Sequence, residues 1–237
     1  MADPQRAAAI AGVVFDLDGT LYDKRSLERF MVRSLPWGLR RLLRYTKVRS
    51  SLAGEDLGSG AAIQAETLRR LSAREGGRAA WQRWICEVYE PTLLEGMRRA
   101  VRPFPGVHRL LAELRGAGLR LGLVSDYRGV EARLDALRIA PSAFDFVLTT
   151  ELHGVMKPAA RAAALTRAGM GVPAEATVMV GDRAFADLRF AEAAGMGFVG
   201  VLPEAPATAP EDPRWMTWPA ARAHLLGLAL GGASSPG

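Results

Sequence analysis

The sequence predicts an α/β fold, a doubly wound parallel sheet with an inserted all-helical segment, and three observations lead there. Five short apolar runs lack polar alternation, as strands buried on both faces do. Amphipathic stretches of helical period lie between them, and strands alternating with helices in this way build a doubly wound sheet. Residues 24–102 break the alternation: apolar residues recur there every three or four positions, with no comparable strand signal.

The first predicted strand is 12–16. The apolar stretch 7–15 that contains it is short, runs straight into Asp16 and lacks a basic leader and a small-residue cleavage site. It is therefore expected to be a strand rather than an export signal. Helices are expected over 27–35, 38–45, 63–74 and 79–89, interrupted by the glycine-bearing stretches 54–60 and 76–77. After Pro103 and Pro105 the alternation resumes, with strands over 119–125, 144–149, 177–181 and 197–202. Helices are expected over 107–117, 130–137, 159–168 and 188–194, with Gly118, Gly169 and Gly195 as stops for three of them. A proline- and alanine-rich loop over 203–213, a last helix over 219–228 and a disordered tail over 231–237 complete the reading. The expected organisation is an α/β core of residues 1–22 and 103–237 and a helical cap of residues 23–102.

With 237 residues, 49% hydrophobic and 24% charged, the composition is that of an ordinary soluble globular protein. No apolar run approaches the roughly 20 residues that span a bilayer, so no membrane span is expected. The single cysteine, Cys86, excludes an internal disulfide and fits a reducing, cytoplasmic setting; it is expected in the core beside Trp84 and Ile85. The formal charge of +6 is unevenly spread. Residues 24–102 hold 17 Lys+Arg against 8 Asp+Glu, a net of +9, and the remainder holds 14 against 17, a net of −3. Only Lys24, Lys47 and Lys157 are lysines among the 31 cations. Lys24 and Lys47 belong to the basic segment, where a solvated surface lysine is expected, and Lys157 does not.

Four separated signals carry the chemistry. Asp16 and Asp18 lie two apart in Phe15-Asp16-Leu17-Asp18-Gly19-Thr20, so both can face one pocket where the first strand ends. Gly19 allows a sharp turn there, and ligands of open α/β sheets bind at carboxyl ends of strands. Ser125-Asp126 closes another strand, where a hydroxyl beside backbone N–H groups suits a phosphate oxygen. Lys157-Pro158 is expected to open a helix. Gly181-Asp182 closes a third strand, with Asp187 five residues on. Alone, each of these is as well explained by a turn, a cap or a surface charge. Together they place three carboxylates at strand ends, which would repel unless a divalent cation were held between them; oxygen ligands alone suit Mg²⁺. A lysine nearby would keep a nucleophilic carboxylate ionised and neutralise a transferring phosphoryl group.

In these motifs and their order the sequence resembles the haloacid dehalogenase superfamily, in the phosphatase branch with a helical cap inserted after the first strand of a Rossmann-like core. The resemblance covers residues 12 to about 201. It implies that Asp16 attacks phosphorus and binds Mg²⁺, and that Asp18 moves protons while its backbone carbonyl contacts the metal. It further implies that Ser125 and Lys157 hold the phosphoryl oxygens, Asp182 binds the metal, and Asp187 supports the metal shell or Lys157. Dehalogenases of the family lack an acid at the second position, whereas this chain has Asp18. Asp126 stands where asparagine is common and is expected as a fourth acid at the pocket rim, among the phosphate-binding groups. The implied activity is hydrolysis of a small organic phosphate monoester through an aspartyl phosphate.

A phosphomutase would share all four motifs and is the alternative enzyme. A non-catalytic relative that binds anions or membranes through its basic cap is the other alternative. It rests on residues 36–49, where Arg40, Arg41, Arg44, Lys47 and Arg49 surround Trp37, Leu39, Leu42, Leu43 and Tyr45. The expected arrangement is instead a cap helix with its apolar face packed inward, a small phosphorylated substrate and no nucleic-acid partner. The run Gly195-Met196-Gly197-Phe198-Val199-Gly200 spells a dinucleotide fingerprint but follows a helix and enters a strand, the reverse of the required order. His108, His153 and His224 are isolated and make no zinc site with one cysteine. Trp81 and Trp84 are expected in the cap core.

Overall fold

A computed structural model describes residues 10–73, 77–204 and 211–231. Six strands form one sheet: β1 (Gly12–Phe15), β2 (Arg120–Ser125), β3 (Phe146–Thr149), β4 (Thr177–Gly181), β5 (Gly197–Leu202) and β6 (Trp215–Thr217). Their order is β3-β2-β1-β4-β5-β6, and every neighbouring pair is parallel. Side chains of β1 alternate between two packed faces. Val13 and Phe15 belong to one core cluster and Val14 to a second, which is why the run carries no polar alternation. The register sets Phe15 beside both Leu123 and Val180. Asp16, Ser125 and Asp182 therefore leave the sheet within one residue of the same level.

The helices are α1 (Lys24–Ser34), α2 (Leu39–Ser50), α3 (Gly60–Ser72), α4 (Arg78–Trp84), α5 (Glu90–Ala100), α6 (Val107–Gly116), α7 (Val130–Ala136), α8 (Ala160–Met170), α9 (Arg189–Ala194) and α10 (Trp218–Gly231). The first five lie between β1 and α6, and a π-helical turn (Ile85–Tyr89) joins α4 to α5 without a break. Asp23 caps α1 by accepting from the Arg25 N–H. The interior of this segment is aromatic: Trp84 packs against Trp81, Tyr45 and Tyr89 with ring centroids 5.7–6.1 Å apart.

Several expectations need correction. α5 and β6 were not foreseen, because Pro91 sits in the first turn of α5 and β6 is only three residues long. Lys157 and Pro158 precede α8 rather than open it. Gly169 lies inside α8, and Gly171, in the left-handed region, ends it. Cys86 is exposed, not core. Leu42 packs inward as expected, but Trp37 and Leu43 are 100% and 60% exposed. Residues 7–9, Gly76, most of the expected loop 203–213 and the expected tail beyond Gly231 lie outside the described residues.

Gly169 shows why propensity misled. A Cβ there would meet the Phe146 ring at 2.0 Å, so glycine marks close packing of α8 on β3. Alanine favours helix by about 1 kcal/mol, but the forced contact opposes it by about 1–3 kcal/mol. Gly169→Ala is expected to lower stability in urea denaturation, and to become neutral or stabilising once Phe146→Ala removes the ring.

Candidate active site

Lys157 is the centre of the carboxyl-end cluster. It is fully buried, and its ammonium donates to Asp16 Oδ1 at 2.6 Å, Asp187 Oδ1 at 2.7 Å and the Val124 carbonyl at 3.2 Å. All three of its hydrogens are used. Asp16 is carried on the end of β1, and its second oxygen accepts from Thr20 Oγ1 at 3.1 Å. Asp187 comes from a π-helical turn after β4 (Ala184–Leu188) and reaches back over the strand end. Its other oxygen accepts the N–H groups of Asp182 and Arg183 at 3.1 and 3.0 Å. Gly181 permits this return, since a Cβ there would lie 2.3 Å from that of Asp187. Gly19 permits another: at φ +93 it turns so tightly that a Cβ would meet Asp182 Oδ2 at 2.2 Å.

Asp16, Asp182 and Asp187 each offer an oxygen within 4.8 Å of the others. Lys24 holds Asp182 Oδ2 in an ion pair, while Asp182 Oδ1 is buried with no hydrogen-bond partner. An orphaned buried carboxylate oxygen beside two more carboxylates is costly until a cation meets it. The all-oxygen donor set fits a hard divalent ion. Burial acts to raise the Asp16 carboxyl, but Lys157, Arg183 and the bond from Thr20 outweigh it and hold Asp16 below the usual carboxylate range. Burial and the Asp16 charge, opposed by Lys24, push Asp182 up to about 6. Burial acts to lower Lys157, yet Asp16 and Asp187 raise it, so it stays a cation.

Asp18 stands apart from this acidic group. Its oxygens accept from the Tyr22 phenol and from Arg133 Nη1, the latter at 2.5 Å. Ser125 is buried at the end of β2 and its Oγ accepts the Tyr127 N–H at 3.3 Å. Asp126 is not at the rim, as the sequence led us to expect. It is 2% exposed, with one oxygen on Thr150 Oγ1 and the Lys157 N–H and the other on Arg183 Nη2. An acceptor-only group so occupied braces the loops and would repel an anion.

A cleft of about 260 Å³ opens over Asp18, lined among others by Tyr22, Lys24, Arg49, Tyr127 and Arg133. Two of these were missed because arginine reads as surface. Arg49 and Arg133 are 3% and 6% exposed, and their guanidinium groups flank the Tyr127 ring at 5.2 and 5.5 Å. Spacing was the available signal: Arg49 falls seven residues after the buried Leu42, and Arg133 three after the buried Val130, each on the inward face. Lys24, expected on the surface, instead reaches Asp182.

The family model of haloacid dehalogenase-like hydrolases matches residues 10–195. Probable phosphatase IndB of Dickeya dadantii is 32% identical over 80% of this chain and 80% of its own length. Glyceraldehyde 3-phosphate phosphatase of Methanocaldococcus jannaschii is 38% identical over 43% of this chain, and the match spans only 45% of that protein. Among solved structures, a 2-haloacid dehalogenase from Pseudomonas syringae pv. Tomato DC3000 superposes with TM-score 0.64 at 24% identity, over 92% of this chain and 98% of that one. That likeness concerns the fold.

The raised Asp182 carboxyl makes a signed prediction for the metal-free protein. Because its folded value lies near 6 and the ordinary value is 3.8, the contribution of Asp182 to stability is greatest below the ordinary value and is lost as pH rises through 6. Asp182→Asn is expected to remove that fall and to add up to about 3 kcal/mol at pH 7 in EDTA. Denaturant unfolding between pH 4 and pH 7 measures it; a variant no more stable than wild type at neutral pH would contradict the electrostatic account.

Proposed function

Since the chain belongs to the haloacid dehalogenase-like hydrolases, we propose that it hydrolyses a small organic phosphate monoester, with Mg²⁺, through an acyl phosphate formed on Asp16. The observation that carries this reading is the bond from the Lys157 ammonium to Asp16 Oδ1 at 2.6 Å, which keeps the carboxylate ionised and turned into the site. Asp16 attacks phosphorus, forming the carboxylate–phosphorus bond as the ester oxygen departs. Asp18 delivers the proton to that oxygen, then takes one from the water that cleaves the acyl phosphate. This requires Asp18 to leave Arg133 and Tyr22, its present partners. Ser125 offers its hydroxyl to a phosphoryl oxygen, and Lys157 offers its charge.

Asp16, Asp182 and the backbone carbonyl of Asp18 would hold Mg²⁺, with Asp187 behind them. When bound, the ion withdraws charge from the phosphoryl oxygens and relieves the repulsion among the carboxylates. We assign Asp126 to bracing Lys157 and Arg183 rather than to phosphate contact. The helices over 24–100 act as the cap, and a small ester suits the volume of the cleft beneath it.

Asp16→Asn is expected to abolish phosphate release, because an amide is a far poorer nucleophile than a carboxylate. Asp18→Asn is expected to lower kcat by about 10²–10⁴-fold. Phosphate release from a panel of phosphorylated metabolites is the assay; turnover by Asp16→Asn at the wild-type rate would end the proposal. Dialysis against EDTA is expected to stop turnover. Mg²⁺ at a hundred times its Kd should restore it and stabilise the fold by about 2.7 kcal/mol, and full activity after chelation would exclude the metal.

A further inference from the structure

One motif is left unused by this site: the basic, tryptophan-bearing start of α2. From Arg29 to Gly54 the chain has seven cations and no acid. Two of the seven are committed inside the fold. Arg49 pairs with Glu151, and Arg44 donates to the Arg70 and Leu71 carbonyls at the end of α3. Arg29 and Arg33 share a surface pocket with Asp23, Glu28 and Glu204, so the field on that side is mixed. Arg40, Arg41 and Lys47 remain, exposed on α2 and without an ion pair to any described acid, although the Arg41 guanidinium lies over the Trp81 ring at 5.6 Å.

Apolar side chains accompany them. Trp37 is 100% exposed at the turn before α2, and Leu43 is 60% exposed on the helix. Arg40, Leu43 and Lys47 follow one another at spacings of three and four, so they share a helix face. The opposite side of α2 carries the buried Leu42 and Arg49. Trp37, Arg40 and Arg41 also border a shallow groove whose floor includes Trp84 and Val88, and no acid lines it.

We infer that this corner of the helical segment, the turn 36–38 with the outer face of α2, docks on an anionic lipid surface. A tryptophan left wholly in water forgoes the burial of about 150–250 Å² that its ring can provide. Tryptophan at the headgroup level, aliphatic side chains just below and cations facing anionic headgroups is the arrangement of an interfacial helix. A second copy of the chain fits poorly, because a two-fold contact would set Arg40, Arg41 and Lys47 against themselves. Nucleic acid would use the cations and could stack on Trp37, but it gives Leu43 no role. Among the described residues no helix is long and apolar enough to cross a membrane, so the association is peripheral.

The test is co-sedimentation of the full chain with sucrose-loaded vesicles, which reads binding without turnover and so stands apart from the proposed catalysis. Vesicles of equimolar phosphatidylglycerol and phosphatidylcholine are expected to carry the protein down at about 0.1 M salt and release it at about 0.5 M. Phosphatidylcholine alone should not bind it. Arg40→Gln with Lys47→Gln should cut partitioning about 25-fold, on the order of fivefold for each cation. Trp37→Ala with Leu43→Ser should cut it about tenfold, with melting temperatures unchanged at these exposed positions. The inference fails if the wild type does not sediment with anionic vesicles. It fails equally if the Trp37 and Leu43 changes leave binding intact, which would mark a general affinity for polyanions. Tighter binding to single-stranded RNA or duplex DNA than to vesicles would assign the face to nucleic acid, and a dimer in light scattering that Trp37→Ala dissolves would assign it to a second copy.

Discussion

The ammonium of Lys157, shut away from water and shared between Asp16, Asp187 and the Val124 carbonyl, is the interaction on which the strand-end cluster depends. Two strand ends, those of β1 and β4, deliver three acids to one point, and without a buried cation these could not stay ionised together. Removing one member of a buried pair costs about 3–5 kcal/mol, because the partner is left charged and unpaired. Around this ion the neighbouring groups follow from a need for satisfied bonds. Asp187 accepts two backbone N–H groups so that its second oxygen is not orphaned. Asp126 accepts the Lys157 N–H, so the loop carrying the lysine is tied from both its backbone and its side chain.

The helical segment is fastened to the core by charge as well as by apolar packing. Arg49 leaves α2 to pair with Glu151 at 2.8 Å and to donate to the Asp126 carbonyl at 3.3 Å. On the outside, Arg161 holds Asp56 at 2.7 Å. The first of these pairs is buried and sits beside the cleft, so its geometry matters to whatever enters there. The second is exposed and contributes little. Movement of the helical segment against the sheet would be resisted at Arg49 and at the backbone hydrogen bonds that join Gly54 to Lys157, Leu57 to Gly154 and Met156 to Glu55.

Much of this architecture was legible in the residues. β4 and β5 coincide with their expected spans, because a run buried on both faces has no polar residue to blur it. Asp16 and Asp182, with Asp187, are brought together as motif spacing and strand ends implied. What escaped was decided by contacts between distant parts of the chain. Gly169 reads as a helix stop until Phe146 is found against it. Arg133 reads as solvated until Asp18 and Tyr127 are found against it. Asp126 lies beside Ser125 in sequence, yet their side chains serve different neighbours. Local pattern carries no record of which distant carbonyl or phenol will be waiting.

The charge balance at the mouth of the site explains why Lys24 is there. Asp16, Asp182 and Asp187 together need more positive charge than Lys157 supplies, and Arg183 approaches the last two only to 3.9–4.0 Å. Lys24, 39% exposed and on the first turn of α1, reaches Asp182 from the solvent side. A flexible, partly solvated ammonium is the kind of counter-ion that can yield to a better one, whereas the buried Lys157 cannot leave without breaking three bonds. The two lysines thus divide the work. One is a permanent part of the surroundings of Asp16, and the other meets Asp182 from the side that faces water.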